Sequence, residues 1–173
     1  MNLGKIERNL PKWSEAVALR KTLSFGQVDA VFDVGANAGQ YAERLRKDLG
    51  FKGLIFSFEP TPDLISDLEK KAKADNYWHI FPFGLSDFND KKDLYICKGS
   101  QYNSFNKPLP ENFGHGGMKI KGKQEIEVRK LDDIYPELKN NFNFQNPFLK
   151  MDTQGHDPIV VKGGMHCVKN FVA

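Results

Sequence analysis

The hydrophobic positions of the chain follow two alternating periods, one typical of buried strands and the other of amphipathic helices. Four apolar runs have the length and composition of buried strands, and they are "DAVFDVG", "GLIFSFEP", "WHIFPFGLSD" and "NPFLKMD". Helical periodicity occupies the two stretches between the first three runs, "NAGQYAERLRKDLG" and "TPDLISDLEKKAKA". This alternation predicts an α/β fold with a mostly parallel sheet, right-handed crossovers and helices on both faces.

The rest of the pattern divides the chain into smaller parts. Residues 1–25 contain Leu10, Trp13 and Val17 on one face and predict an N-terminal helical segment. The core of the predicted single domain, which spans 1–173, then occupies residues 26–173. We expect short antiparallel edge strands in "DLYICKG" and "EIEVRKL", because the second alternates apolar and polar residues strictly.

A long segment rich in Gly, Pro and Asn, roughly residues 99–124, separates these two short strands. A connection of this length in a compact domain is usually functional or disordered. Tyr102, Asn103 and His115 lie in it and are the candidates for contact with a substrate.

Composition removes several classes of function. The chain has 173 residues and a net charge of +3, which is too mild to indicate nucleic-acid binding. No apolar run approaches the roughly 20 residues that span a membrane. Cys97 and Cys167 fit neither a metal motif nor a disulfide framework, so a reduced, cytoplasmic setting is expected.

Candidate chemistry collects where the predicted parallel strands end. Asp33, Gly35, Asn37 and Gly39 lie in the turn "DVGANAG", which joins the first strand to a helix, and ligands bind at such turns in doubly wound sheets. Glu59 and Asp87 are the acidic residues at the ends of the next two predicted strands. Glu59 is placed to accept hydrogen bonds from ribose hydroxyls, and Asp87 is available to the adenine amine.

These carboxylates also identify the class of cofactor. The turn lacks the G-x-G-x-x-G spacing of dinucleotide sites and the Lys-Ser/Thr of a P-loop. An acidic ring suits a positively charged sulfonium better than a pyrophosphate. S-adenosylmethionine is therefore the predicted cofactor, and a nicotinamide-dependent oxidoreductase remains an alternative.

The segment "FLKMDTQGHD" ends the fourth predicted strand. Asp152 and His156 are the candidates for a general base. Together with Asp157 they could be read as a Mg²⁺ site, but two carboxylates and one imidazole form an incomplete set. Asp157 precedes Pro158, a combination typical of a helix start, so no metal is predicted.

The ordered set of motifs resembles the FkbM-type methyltransferases, which depend on S-adenosylmethionine. The matching pieces are "FDVGANAGQYA", "FEPTP", "GLSD", the Ser-Phe pair at 104–105, "VRKLDDI" and "LKMDTQGHD…VVKGG". The resemblance implies a Rossmann-like methyltransferase fold with strand order 3-2-1-4. Such folds normally have seven strands, so this chain is expected to be truncated at its C-terminal end.

The resemblance also implies an activity and roles for residues. It implies O-methylation of a hydroxyl on a sugar, a glycan or another secondary metabolite. The residues of "DVGANAG" would line the methionine end of the cofactor, Glu59 would hold the ribose, Asp87 the adenine side, and Asp152 would lie near the transferred methyl group. A second copy or a partner chain is expected to cover the open sheet edge, and a non-catalytic binding module is the other alternative.

Overall fold

The computed structural model describes residues 3–107 and 119–172, and the side chains from residue 14 onward within those ranges. The main sheet consists of four parallel strands, β1 (Ala30–Val34), β2 (Leu54–Phe58), β3 (Trp78–Phe81) and β7 (Pro147–Met151). Their order is β3-β2-β1-β7, which confirms the predicted order 3-2-1-4.

Helices cover both faces of this sheet, as predicted. The helices are α1 (Leu3–Phe25), α2 (Gln40–Lys47), α3 (Pro62–Ala72), α4 (Leu131–Asn141) and α5 (Asp157–Lys162). Side chains of α1, α2 and α3 pack with Val31 and Ile55 on one face. Side chains of α4 and α5 pack with Phe32, Phe56 and Phe58 on the other. Successive residues of β1 therefore enter different cores, as the pleat of a strand requires.

An aromatic cluster fills the core on the face of α4 and α5. The ring of Phe32 is fully buried. Its centroid lies 5.0 Å from those of both Phe56 and Phe171, in edge-to-face arrangements that aromatic pairs prefer. Phe58, Phe144 and Tyr135 also pack against this ring.

The prediction of one continuous third strand is wrong, because this segment forms two strands that belong to different sheets. β3 ends at Phe81, and the next strand, β4 (Gly84–Ser86), lies in a three-stranded sheet. Pro82 lacks the N–H that would continue the ladder, and the N–H of Phe83 turns back to the carbonyl of Phe81 at 2.9 Å.

The two short strands expected at the edge also need correction. β5 (Asp90–Cys97) and β6 (Ile120–Lys130) are antiparallel, as predicted, but they are long and join β4 in the second sheet, in the order β4-β6-β5. Because β6 pairs with β4 in parallel and with β5 in antiparallel fashion, this sheet is mixed. It stands beside the carboxyl ends of the main sheet and contributes to the site.

The sequence pattern did not predict α4, which connects β6 to β7. Leu131, Ile134 and Leu138 form its buried stripe, but Pro136 lies inside the helix and argues against one. Near the C-terminus, Val172 forms a parallel bridge with Phe148. Within the described residues, no helix combines the length and the apolar character needed to cross a bilayer.

Candidate functional site

A cavity of about 360 Å³ opens where β1, β2 and β7 end. The loops that follow these three strands form one side of it. The other side is formed by Leu85, Leu94, Ser100, Gln101 and residues 103–105. This is the crevice in which open α/β sheets bind ligands, and the volume falls in the range of small-molecule sites.

Gly35 allows the first loop to approach β7 closely. Its φ is +76°, and a Cβ at this position would lie 2.3 Å from the carbonyl oxygen of Asp152. Both observations require glycine, so the predicted glycine turn has a steric basis. Asn37 follows with a φ of +50°, and both residues line the cavity.

Glu59 is a buried carboxylate held by backbone donors on the cavity wall. Its Oε2 accepts a hydrogen bond from the N–H of Asn37 at 2.7 Å, and its Oε1 accepts one from the N–H of Thr61 at 2.9 Å. Burial raises the pKa of Glu59, and these bonds oppose that effect. The carboxylate is thus fixed in place while retaining lone pairs for ligand hydroxyls.

Asp33 lies beneath the cavity and does not line it. The carboxylate is fully buried, its Oδ1 lies 2.9 Å from Nζ of Lys150, and neither oxygen receives a hydrogen bond of good geometry from the described residues. Burial raises the pKa of Asp33, and the charge of Lys150 opposes the increase. Lys150 is the member of this pair that reaches the cavity wall.

Asp152 lies on the cavity wall, directly after the end of β7. Its backbone N–H donates to the carbonyl of Val34 at 3.0 Å, which joins the first residue after β7 to β1. The side chain is exposed, and its Oδ1 accepts a hydrogen bond from Nε2 of Gln154 at 2.9 Å. A carboxylate in this position is open to a ligand and has a fixed orientation.

His156, the other candidate for a general base, is buried and does not line the cavity. Its Nε2 is 3.2 Å from Oγ of Ser86, and its ring packs against Phe105 at a centroid distance of 4.7 Å. Burial lowers the pKa of His156 to about 4. These contacts indicate that His156 joins α5 to the second sheet.

Three other predicted site residues lie away from the cavity lining. Asp87 forms an ion pair with Lys162 at 2.7 Å, and the hydrogen bond from that lysine lowers the pKa of Asp87. A Cβ on Gly39 would lie 3.0 Å from the Trp78 ring, so this glycine serves packing. Tyr102 is half-buried outside the lining, and His115 lies outside the described residues.

The segment Ser100–Asn106, here called the strap, is hydrogen-bonded to all three loops at the carboxyl ends of the strands. Ser100 Oγ is 3.2 Å from Asn37 Oδ1, and Asn103 Nδ2 donates to Thr61 Oγ1 at 3.2 Å. Ser104 Oγ donates to the carbonyl of Gln154 at 3.0 Å. The strap therefore closes one side of the cavity, and Asn103, a predicted substrate contact, uses its amide to hold it.

Asp157 stabilises the turn after β7 and does not cap α5 in the predicted way. The helix begins at Asp157, and the carboxylate accepts hydrogen bonds from the N–H and Oγ1 of Thr153 at 3.1 and 2.7 Å. Asp152, His156 and Asp157 therefore each have a different partner. No group of three metal-binding side chains occurs within residues 3–107 and 119–172.

Sequence reasoning missed Lys150, Tyr41 and Arg44, which all line the cavity. A signal for Lys150 was present, because a charged residue inside the short strand "PFLKM" requires a buried partner. Asp152 lies two residues further on, directly after β7, and this spacing predicts that both side chains project to the same side. Tyr41 and Arg44 carry no such signal, since their positions fit an ordinary helix surface.

Comparison with known proteins now adds to this geometry. The crystal structure of the methyltransferase FkbM from Methylobacillus flagellatus KT matches with a TM-score of 0.50 at 17% identity, over 79% of this chain and 29% of that one. The chain thus spans less than a third of that protein's length, and the likeness shows the fold. A comparison with curated proteins finds no match. The model of the methyltransferase FkbM domain matches residues 33–172, and the chain therefore belongs to the FkbM methyltransferase family.

Proposed function

We propose that this chain binds S-adenosylmethionine and methylates a hydroxyl group of a sugar, a glycan or a secondary metabolite. The observation that carries the proposal is Glu59, a carboxylate fixed by two backbone donors on the wall of a cavity that also contains Gly35. Family membership supports methyl transfer in general. The free thiols of Cys97 and Cys167 are typical of a reducing compartment, so the cytoplasm is the proposed location.

The donor set fits the proposed cofactor. Glu59 retains lone pairs for the two ribose hydroxyls, and the absence of a side chain on Gly35 leaves its backbone accessible beside Asp152. Leu85 and Leu94 offer apolar walls for a flat ring. When bound, S-adenosylmethionine supplies a methyl group that is already activated by its positive sulfonium.

Asp152 is the proposed general base. A sugar hydroxyl is a weak nucleophile, and removal of its proton by a positioned carboxylate accelerates such reactions by about 10²–10⁴-fold. Gln154 orients the carboxylate through the bond to Oδ1, and Oδ2 is left for the acceptor hydroxyl. His156, whose pKa of about 4 keeps it neutral, lies outside the lining and is not part of this proposal.

Cofactor binding is tested by calorimetric titration with S-adenosylhomocysteine, the demethylated product. Glu59→Gln places an NH₂ group against a backbone N–H, because Asn37 and Thr61 both donate to this side chain. We expect the dissociation constant to rise about 10- to 100-fold, since hydrogen bonds to charged groups contribute about 1.5–3 kcal/mol. Glu69→Gln on the exposed face of α3 is the control. Wild-type protein that is folded and shows no binding at millimolar ligand would refute the proposal.

Catalysis is tested by transfer of a labelled methyl group to a panel of hydroxyl acceptors. In Asp152→Asn the amide oxygen still accepts from Gln154, while the base is lost. We expect kcat to fall by about 10²-fold or more, with the affinity for S-adenosylhomocysteine within threefold of wild type. Unchanged turnover would show that Asp152 is not the base.

A further inference from the structure

The cavity wall beside Gly35 carries a positive charge that the proposed function has not used. Lys150 projects from β7 next to Asp33, which is its register partner in β1. Its Nζ lies 2.9 Å from Oδ1 of Asp33 and 3.4 Å from the carbonyl oxygen of Gly35. The Tyr41 ring lies on another side, with its centroid 5.2 Å from Nζ. Three contacts thus fix the ammonium in one place.

The ammonium still has capacity to bind a ligand. A lysine carries three N–H donors, and the two oxygen acceptors account for at most two of them. No third oxygen acceptor within the described ranges reaches Nζ. Because Lys150 lines the cavity and Asp33 does not, a ligand meets the positive member of the pair.

The cost of the pair indicates that it serves a purpose. Asp33 is fully buried and the Lys150 side chain is 18% exposed. Removing two such charges from water is expensive, and apolar residues of similar size often stabilise a core equally well or better. An ammonium that Asp33 holds at the wall of a cavity, however, is preorganised to bind an anion.

The position of this charge selects the anion. Lys150 borders Gly35, in the turn that the family resemblance assigns to the methionine end of the cofactor. The methionyl tail ends in a carboxylate, the acceptor that an ammonium binds well. We propose that Lys150 binds the α-carboxylate of S-adenosylmethionine and that Asp33 is a positioning residue for Lys150. This inference rests on the proposed cofactor.

The test compares two ligands that differ only in the carboxylate. Calorimetric titration uses S-adenosylhomocysteine and its decarboxylated analogue, S-adenosyl-3-thiopropylamine. In Lys150→Met we expect the affinity for S-adenosylhomocysteine to fall about 10- to 100-fold, as for a lost charge-assisted hydrogen bond. The affinity for the decarboxylated analogue should stay within threefold of wild type.

Two further variants separate binding from folding. Lys150→Met leaves Asp33 buried without its cation, so the double variant Lys150→Met/Asp33→Asn removes both charges and should show the same selective loss. Asp33→Asn alone should weaken only the ligand that carries the carboxylate. The matched control is Lys71→Met, because Lys71 binds the carbonyl of Ala38 from outside the cavity lining.

Each outcome decides one question. Equal losses for both ligands in the double variant would make the pair structural and overturn the inference. Unchanged affinity of the double variant for both ligands would overturn the inference as well. Failure of the wild-type protein to bind S-adenosylhomocysteine would instead refute the proposed function, so the two failures are distinguishable.

Discussion

Burial decides what individual charged residues do in this molecule. His156 and Asp152 are four positions apart in the sequence, yet one is 1% exposed and the other lies open at the cavity. Sequence spacing treats the two as equal candidates for a base. The three-dimensional positions separate them, because α5 turns His156 toward Ser86 and Phe105.

The lowered pKa of His156 predicts a component of acid destabilisation. An unfolded histidine has a pKa of about 6.5, whereas the folded value is about 4. Between these values the unfolded chain binds a proton that the folded chain does not. The free energy of unfolding should therefore decrease as the pH falls through this window, by up to about 3 kcal/mol, and level off below it.

Urea denaturation of wild type and His156→Gln from pH 7.5 to pH 4 measures this component. The variant retains a polar group for Ser86 but does not titrate in this range. Its disadvantage relative to wild type should therefore shrink as the pH falls. A difference in stability that is independent of pH would contradict the assignment.

At the scale of elements, the sequence predicts local features well and distant pairings poorly. The strands β1, β2 and β7 were predicted because each is a short apolar run with a turn at its end. The second sheet was not, since β6 pairs with β4 across more than 40 residues and no local pattern encodes such pairing. The sequence did not predict α4, because a proline inside a helix is unfavourable and Pro136 lies within it. The buried positions of this helix otherwise have regular helical spacing.

The contact between α5 and β4 depends on Gly163. A Cβ at this position would lie 1.9 Å from the carbonyl oxygen of Ser86, so the backbones meet without space for a methyl group. Gly163→Ala should push α5 away from β4 and destabilise the protein by about 1–3 kcal/mol, as overpacking does. Chemical denaturation measures the change.

The matched control is Gly122→Ala in β6, where no atom lies within 4 Å of the added Cβ. This substitution should change the free energy of unfolding by no more than about 0.5 kcal/mol. Equal effects of the two substitutions would show that α5 does not rest on β4 through Gly163.

At the scale of the whole molecule, the site forms because loops from distant parts of the chain meet at one edge of the sheet. The sequence predicted this edge and the residues Gly35, Asn37, Glu59 and Asp152 on it. It could not predict the strap, whose hydrogen bonds join loops about 40 to 60 residues apart in sequence. Asp87 was assigned to the site on the assumption that its strand continues the main sheet, which Pro82 prevents.

The C-terminal part of the described chain returns to β7, at the edge of the main sheet, and packs a ring into the core. Phe171 places its ring 5.0 Å from Phe32 and 5.5 Å from Tyr135, and the N–H of Val172 donates to the carbonyl of Pro147. Phe171→Ala should therefore lower the free energy of unfolding by about 2 kcal/mol, which is somewhat less than the loss expected for a fully buried phenylalanine. Thermal denaturation measures it, with Met165→Ala, at a side chain that is 61% exposed, as the control. A loss no greater than that of the control would show that this segment does not stabilise the core.

The packing of Trp78 gives the protein an optical signal of its own. The indole ring contacts the position of Gly39 at the start of α2, and its N–H donates to Oγ of Ser57 at 2.9 Å. Trp13 is the other tryptophan of the chain, so Trp13→Phe leaves Trp78 as the single tryptophan, which can be excited selectively at a wavelength that tyrosine does not absorb. Titration of S-adenosylhomocysteine into this variant should change the emission of Trp78. Methionine, which lacks the adenosine, should not change it at the same concentration. Binding could then be followed in real time on an unlabelled protein, including the rate at which the ligand enters beneath the strap.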